Sequence, residues 1–217
     1  MTPWLWAQVL AASYAAGSIP FAWLIAKAKG VDIRTVGSGN VGATNVARSI
    51  GPVWGVLTFV LDAVKGAAPA LVAPAVVRQW TGEAAPPALG LVCGLAAVAG
   101  HTWPVFLRFK GGKGVATSAG VLLAAAPGAA AAGLAVWLAA AFVFRYVSVA
   151  SIAAAMATPL AAWILYGAAD RVRPGLLTAM GALIIWRHRS NVERLLAGTE
   201  PQIGGRKSGP AGVVRGD

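Results

Sequence analysis

Residues 115–166 read VATSAGVLLAAAPGAAAAGLAVWLAAAFVFRYVSVASIAAAMATPLAAWILY, and this stretch decides the fold. Arg145 is its one charged residue. A helix crosses a bilayer with about twenty apolar residues, so the stretch is too long for one crossing and has to turn back. Pro127-Gly128 and Arg145-Tyr146-Val147-Ser148 are the natural breaks. They predict short helices at 115–126, 129–144 and 147–166. Outward from this core, further spans are expected at 4–26, stopped by Lys27 and Lys29, at 53–77, at 88–107, where Pro104 bends the exit, and at 174–186. The expectation is an all-α membrane protein, a bundle of about seven transmembrane helices, with five as the rival count should the short segments merge or re-enter. The N-terminal run is too long, and lacks the basic flank, for a signal peptide.

Composition agrees. Of 217 residues, 58% are hydrophobic and 12% charged, and the mean hydropathy is +0.69. Soluble domains carry roughly a quarter charged residues, so an ordinary soluble fold, a disordered chain and a coiled coil are excluded. The net charge of +11 reads as the positive-inside bias of a membrane protein rather than a nucleic-acid face. An outside N-terminus and a cytoplasmic C-terminus place nearly all Lys and Arg inside, and only Arg78, Arg171 and Arg173 outside. Residues 1–203 form a single integral-membrane domain, and 204–217, rich in Gly and basic residues, read as a disordered cytoplasmic tail. The single Cys93 lies in an apolar run and is read as core.

Three inner segments carry the polar chemistry. The first is Gly37-Ser38-Gly39-Asn40-Val41-Gly42-Ala43-Thr44-Asn45, followed by Arg48. Its glycines fit G-x-G-x-x-G, but nothing in the chain supplies the βαβ unit that gives that motif meaning. The underlying physics stands apart from the motif. Closely spaced glycines let backbone N–H groups converge on an anion, hydroxyls and amides add donors, and the fixed charge of Arg48 suits phosphate. The second segment is Lys110-Gly111-Gly112-Lys113-Gly114-Val115-Ala116-Thr117. It fails as a Walker A loop, yet offers lysines and glycines before a helix start, where negative charge is favoured. A basic stop-transfer loop would need the lysines without the glycines. The third runs from Arg187-His188-Arg189 through Asn191 to Glu200, with His188 and Asn191 on one helical face. By composition alone it is an amphipathic interfacial helix.

Within the membrane, Asp62 and Lys65 stand three apart and are expected to pair as structural support. His101, at a helix end, reads as an interfacial hydrogen-bonder. There is no nucleophile elbow, no cysteine beside a histidine and no ligand cluster for a metal, so no cofactor or metal is expected. Charge neutralisation and orientation of an activated donor are the favoured chemistry.

Gly17-Ser18-Ile19-Pro20, the first loop with Arg48, Gly100-His101 and Gly111-Gly112-Lys113-Gly114-Val115-Ala116-Thr117 resemble the PlsY family of bacterial acyl-phosphate-dependent glycerol-3-phosphate acyltransferases. His188, Asn191 and Glu200 are similar to its third cytoplasmic motif, and the likeness runs from Gly17 to Glu200 without departure within the motifs. The resemblance implies transfer of a fatty acyl group from acyl phosphate to the 1-hydroxyl of sn-glycerol 3-phosphate, giving lysophosphatidic acid and phosphate, at the cytoplasmic side of the bacterial inner membrane. It implies catalytic roles for Ser38, Arg48, His188 and Asn191, and a glycerol-phosphate loop at Gly111, Gly112, Lys113 and Gly114. Gly37, Gly39, Asn40, Thr44 and Asn45 join the substrate-binding set, and Glu200 joins Asp62 and Lys65 as structural. Partners are the two substrates, membrane lipid and, as a candidate, the soluble enzyme that makes acyl phosphate. The rival from another class is a transporter or channel for an organic phosphate anion, which would want an internal repeat and polar residues at mid-membrane. The chain shows neither a convincing repeat nor more than one intramembrane ion pair.

Overall fold

The computed structural model describes residues 2–205. They form α1 (Pro3–Ser18), α2 (Phe21–Ala28), α3 (Ala43–Ser49), α4 (Pro52–Thr81), α5 (Leu89–Thr102), a 3-10 turn at Val105–Leu107, α6 (Val115–Ala125), α7 (Pro127–Phe144), α8 (Val147–Tyr166), α9 (Val172–Arg187) and α10 (Arg189–Leu196). Among the described residues the structure is all helical. The expected tail falls outside the description from residue 206 onward.

Five helical stretches are long and apolar enough to cross a membrane: Pro3–Ala28, Pro52–Thr81, Leu89–Leu107, Pro127–Phe144 and Val147–Tyr166. At 1.5 Å per residue, the 11 residues of α6 and 16 of α9 are shorter than a hydrocarbon core. Helices therefore stand at all the expected segments, but among the described residues only these five satisfy the length criterion.

The breaks have local causes. Pro127 begins α7, where its missing N–H costs nothing, and Arg145 ends it in a left-handed conformation at φ 58°. The first span differs from expectation. It is interrupted at Ile19-Pro20, because proline cannot donate and forces the preceding residue out of the α region.

α5 lies at the centre of one group, against α1, α4 and α6, and α7, α8 and α9 pack beside it. Small residues make this possible. Gly17 and Gly100 bring α1 onto α5, and Gly66 and Gly120 bring α4 onto α6, so closely that a methyl group at any of the four would strike the facing backbone. Bulky residues point the other way. Val60 and Leu71 on α4, Leu138 and Phe142 on α7, and Leu160 and Ile164 on α8 are exposed, as lipid-facing side chains should be.

Candidate functional site

The first loop is built around one side chain. Asn45 is buried and its Nδ2 donates to the carbonyls of Ile33, Val36 and Asn40, each at 3.1 Å, while its Oδ1 accepts the Ser38 N–H at 3.0 Å. Gly37 and Gly39, at φ 58° and 66°, supply the left-handed bends that wrap the chain around this amide. Asn45 is thus the keystone of the loop as well as a residue of the cleft wall, where the sequence pointed to a substrate contact. Asn45→Asp should lower the melting temperature by several degrees and remove activity together, because three carbonyls would face a carboxylate at ~1–3 kcal/mol per unmet group. An unchanged melting curve with only KM altered would return Asn45 to substrate contact.

The second loop is also pinned from within. Gly111 and Gly112 donate their N–H groups to the carbonyls of Thr102 and His101 at 3.2 and 3.1 Å, and Arg187 Nη2 clamps the carbonyls of both at 3.2 and 3.1 Å. These two glycines are therefore packing residues whose N–H groups are not free for an anion. What the loop presents is Lys113, Gly114 at φ 86°, and the start of α6, whose first N–H groups lack intrahelical partners.

In the third segment, His188 is 3% exposed and its Nδ1 lies 2.7 Å from the carbonyl of Ile184. A carbonyl can only accept, so Nδ1 carries the proton and Nε2 holds the lone pair. Burial pushes the imidazole pKa down to about 4, so the ring is neutral at ordinary pH. Asn191 Nδ2 donates to Glu200 Oε1 at 2.7 Å and its Oδ1 accepts from Lys113 Nζ. Arg194 Nε meets Glu200 Oε2 at 2.8 Å, a partner that sequence spacing did not reveal. Burial works against ionisation of Glu200, but hydrogen bonds from Asn191 and Arg194 more than offset it and its pKa is lowered. Burial likewise lowers Lys113, to about 8, with Arg194 next to it acting in the same direction. Arg48 donates from Nη2 to the Pro201 carbonyl at 3.1 Å. Burial lowers its pKa and Glu200 opposes the shift.

Beyond Glu200 the chain forms a strap. Ile203 N–H donates to the Arg145 carbonyl at 2.7 Å, Arg145 Nη2 donates to the Ile203 carbonyl at 3.0 Å, and Gln202 Nε2 reaches Tyr146 Oη at 3.0 Å.

The three segments meet in one cleft. Ser38, Asn40, Thr44, Asn45 and Arg48 line one side, Lys113 and Gly114 another, and His188, Asn191, Arg194 and Glu200 a third. Gly37, Gly39, Gly111 and Gly112 stand behind these walls rather than lining them. Val115 of the second segment joins Phe59, Trp137 and Val147 in an apolar flank, and Ser148 and Ser151 add hydroxyls; apart from Val115, no motif in the sequence singled these residues out. Asp62 and His101 also reach the cleft wall. His101 is buried, with Nδ1 3.6 Å from Asp62 Oδ1, rather than placed at an interface as expected. The expected pair is present, with Lys65 Nζ 2.7 Å from Asp62 Oδ1.

A bundle of apolar helices that gathers cations, amides and an imidazole beside an apolar wall defines a multi-pass membrane protein with one polar cleft. Residues 7–198 match the family model described as glycerol-3-phosphate acyltransferase, and the chain belongs to that family. It is 46% identical to the glycerol-3-phosphate acyltransferase of Methylorubrum populi over 94% of this chain and 98% of that one. It is 48% identical to that of Aquifex aeolicus over 87% and 94%. Among solved structures it is similar to PlsY (YgiH), an integral membrane glycerol 3-phosphate acyltransferase. The glycerol 3-phosphate form gives a TM-score of 0.80 at 46% identity, covering 92% of this chain and 96% of that one. The lysophosphatidic acid form gives 0.78 at 43%, covering 91% and 94%.

Proposed function

We propose that this chain, as one membrane domain over residues 1–203, transfers a fatty acyl group from acyl phosphate to the 1-hydroxyl of sn-glycerol 3-phosphate, releasing lysophosphatidic acid and phosphate. The observation that carries the reading is the meeting of Arg48, Lys113, Asn191 and His188 on one cleft with an apolar flank. Two phosphates need fixed cations, and a fatty chain needs the apolar side. The relatives' names, and the glycerol 3-phosphate and lysophosphatidic acid forms of a related structure, agree with the acceptor and product.

The step is a direct acyl transfer. The substrate hydroxyl oxygen attacks the acyl carbonyl carbon, the bond from that carbon to the phosphate oxygen breaks, and phosphate leaves with the electron pair. Acyl phosphate is already a mixed anhydride, so no acyl-enzyme, cofactor or metal is required. His188 Nε2, held by the Ile184 bond to the opposite nitrogen, accepts the hydroxyl proton. Ser38 and Asn191 orient the reacting groups, Arg48 neutralises the departing phosphate, and Lys113 holds the phosphate of the acceptor. Gly114 and Thr44 contribute to the walls against which the headgroups rest.

The positive-inside rule puts the cleft on the cytoplasmic face of the bacterial inner membrane, with seven crossings, α6 and α9 included, and an outside N-terminus. A soluble acyl-phosphate-forming enzyme would deliver the donor there. Purified protein in detergent should release inorganic phosphate from palmitoyl phosphate only when glycerol 3-phosphate is added. Release at the same rate without acceptor, or none with both substrates, would overturn the reading.

The charge on Lys113 gives a pH signature. With a pKa near 8 in the empty cleft, the ammonium is lost as pH rises through that value, so KM for glycerol 3-phosphate should climb by up to about tenfold per unit above it. In Lys113→Met the KM should be high and flat across pH 7–9. A wild-type KM that stays level through this range would remove Lys113 from acceptor binding.

A further inference from the structure

Three buried ionisable side chains have no part in the chemistry above. Lys65 Nζ sits 2.7 Å from Asp62 Oδ1 and also donates to the Ile19 carbonyl at 2.7 Å, the carbonyl left at the break between α1 and α2. Asp62 is 1% exposed, and its Oδ1 faces His101 Nδ1 at 3.6 Å. The far edge of the imidazole, at Nε2, packs on Gly112, where a Cβ would collide with it, and the His101 carbonyl accepts the Gly112 N–H at 3.1 Å. Lys113 follows directly. A continuous run of contacts thus passes from the helix break through Lys65, Asp62 and His101 to the loop that presents Lys113 to the cleft.

Stability alone does not explain the arrangement. A buried ion pair costs several kcal/mol of desolvation per ion, and well-packed apolar replacements are often as stable or more so. The placement is also unfavourable for an anion site unless it is compensated, because Asp62 is a carboxylate at the wall of a cleft built for phosphates. Lys65 and His101 both face its Oδ1.

We propose that Asp62 and His101 are positioning residues that set the Gly112–Lys113 backbone for the acceptor phosphate, with Lys65 neutralising the carboxylate so that it does not oppose the anion. This rests on the assignment of Lys113 to that phosphate. The imidazole acts as a spacer of fixed orientation beneath Gly112, and the Asp62 carboxylate biases its ring electrostatically from 3.6 Å at Nδ1.

The test is a KM and kcat comparison on purified full-length protein, with melting curves in the presence and absence of inorganic phosphate. His101→Asn should raise KM for glycerol 3-phosphate by about tenfold and change kcat less than threefold, the pattern of lost ground-state binding. In a Lys113→Ala background the same substitution should change KM less than twofold, because its effect passes through Lys113. Asp62→Asn leaves a buried lysine unpaired, so the companion variant is Asp62→Asn with Lys65→Met, which should fold and show the same KM rise. Phosphate should raise the melting temperature of the wild type and not that of His101→Asn. Multiplying effects in the double variant, or wild-type KM in His101→Asn, would overturn the proposal. Failure of phosphate to stabilise the wild type would instead overturn the placement of the anion site, and loss of acyl transfer with phosphate stabilisation intact would count against the reaction and leave the positioning role standing.

Discussion

Arg48→Lys should lower kcat for glycerol 3-phosphate-dependent phosphate release by about a hundredfold or more, the usual loss when a preorganised donor to developing charge is removed. The planar fork lets Arg48 spend one nitrogen on the Pro201 carbonyl at 3.1 Å and keep others for the leaving phosphate. An ammonium at the same position is shorter and can reach one partner or the other. Because the strap carbonyl fixes the guanidinium before substrate arrives, the loss should fall on kcat more than on KM for either substrate. Arg48→Lys turning over within threefold of wild type would show that point charge is enough, and would remove Arg48 from transition-state stabilisation. Arg48→Ala should be worse, and should fold, since the side chain is only partly buried.

The second large effect is at His188. His188→Gln should reduce kcat by roughly a hundredfold to ten-thousandfold, the range for loss of a general base. The pH dependence identifies the role. With its pKa held near 4 by burial, the ring is a competent base throughout the neutral range, and kcat/KM should fall only as pH drops through about 4. The sign follows from the protonated ring having no lone pair at Nε2 while Nδ1 remains bound to the Ile184 carbonyl. His188→Gln should lack that acid limb. If the residual activity of the variant keeps the wild-type profile, the proton goes to a phosphate oxygen of a substrate instead, and His188 acts by orientation.

How much of this was legible in the sequence depends on the kind of signal. The helices between Val115 and Tyr166 were readable because proline and a lone arginine punctuate an otherwise uniform apolar run. The break at Ile19-Pro20 was not, because both residues are apolar and only the proline's missing donor betrays it. The three polar segments were visible as composition, and the structure brings them to one cleft. Which atoms they offer was not visible. Gly111 and Gly112 looked like ligand-facing groups and instead hold their own loop, and Asn45 holds its loop while also reaching the cleft wall, since hydrogen bonds to a neighbouring carbonyl leave no mark on spacing. Arg194 was hidden for a similar reason. It meets Glu200 across a helix end and a turn, outside the i, i+4 rule. Trp137, Ser148 and Ser151 come from the stretch between the second and third segments, which carries no motif, and only packing places them at the site.

The strap from Pro201 to Gly205 has a practical side. Its pairing with Arg145 and Tyr146 ties the end of the described chain to the α7–α8 corner and, through Pro201, to Arg48. A C-terminal purification handle or fluorescent fusion therefore belongs downstream of Gly205, and a shortened version for crystallography that stops at Glu200 would lose the carbonyl that seats Arg48 while keeping all three polar segments.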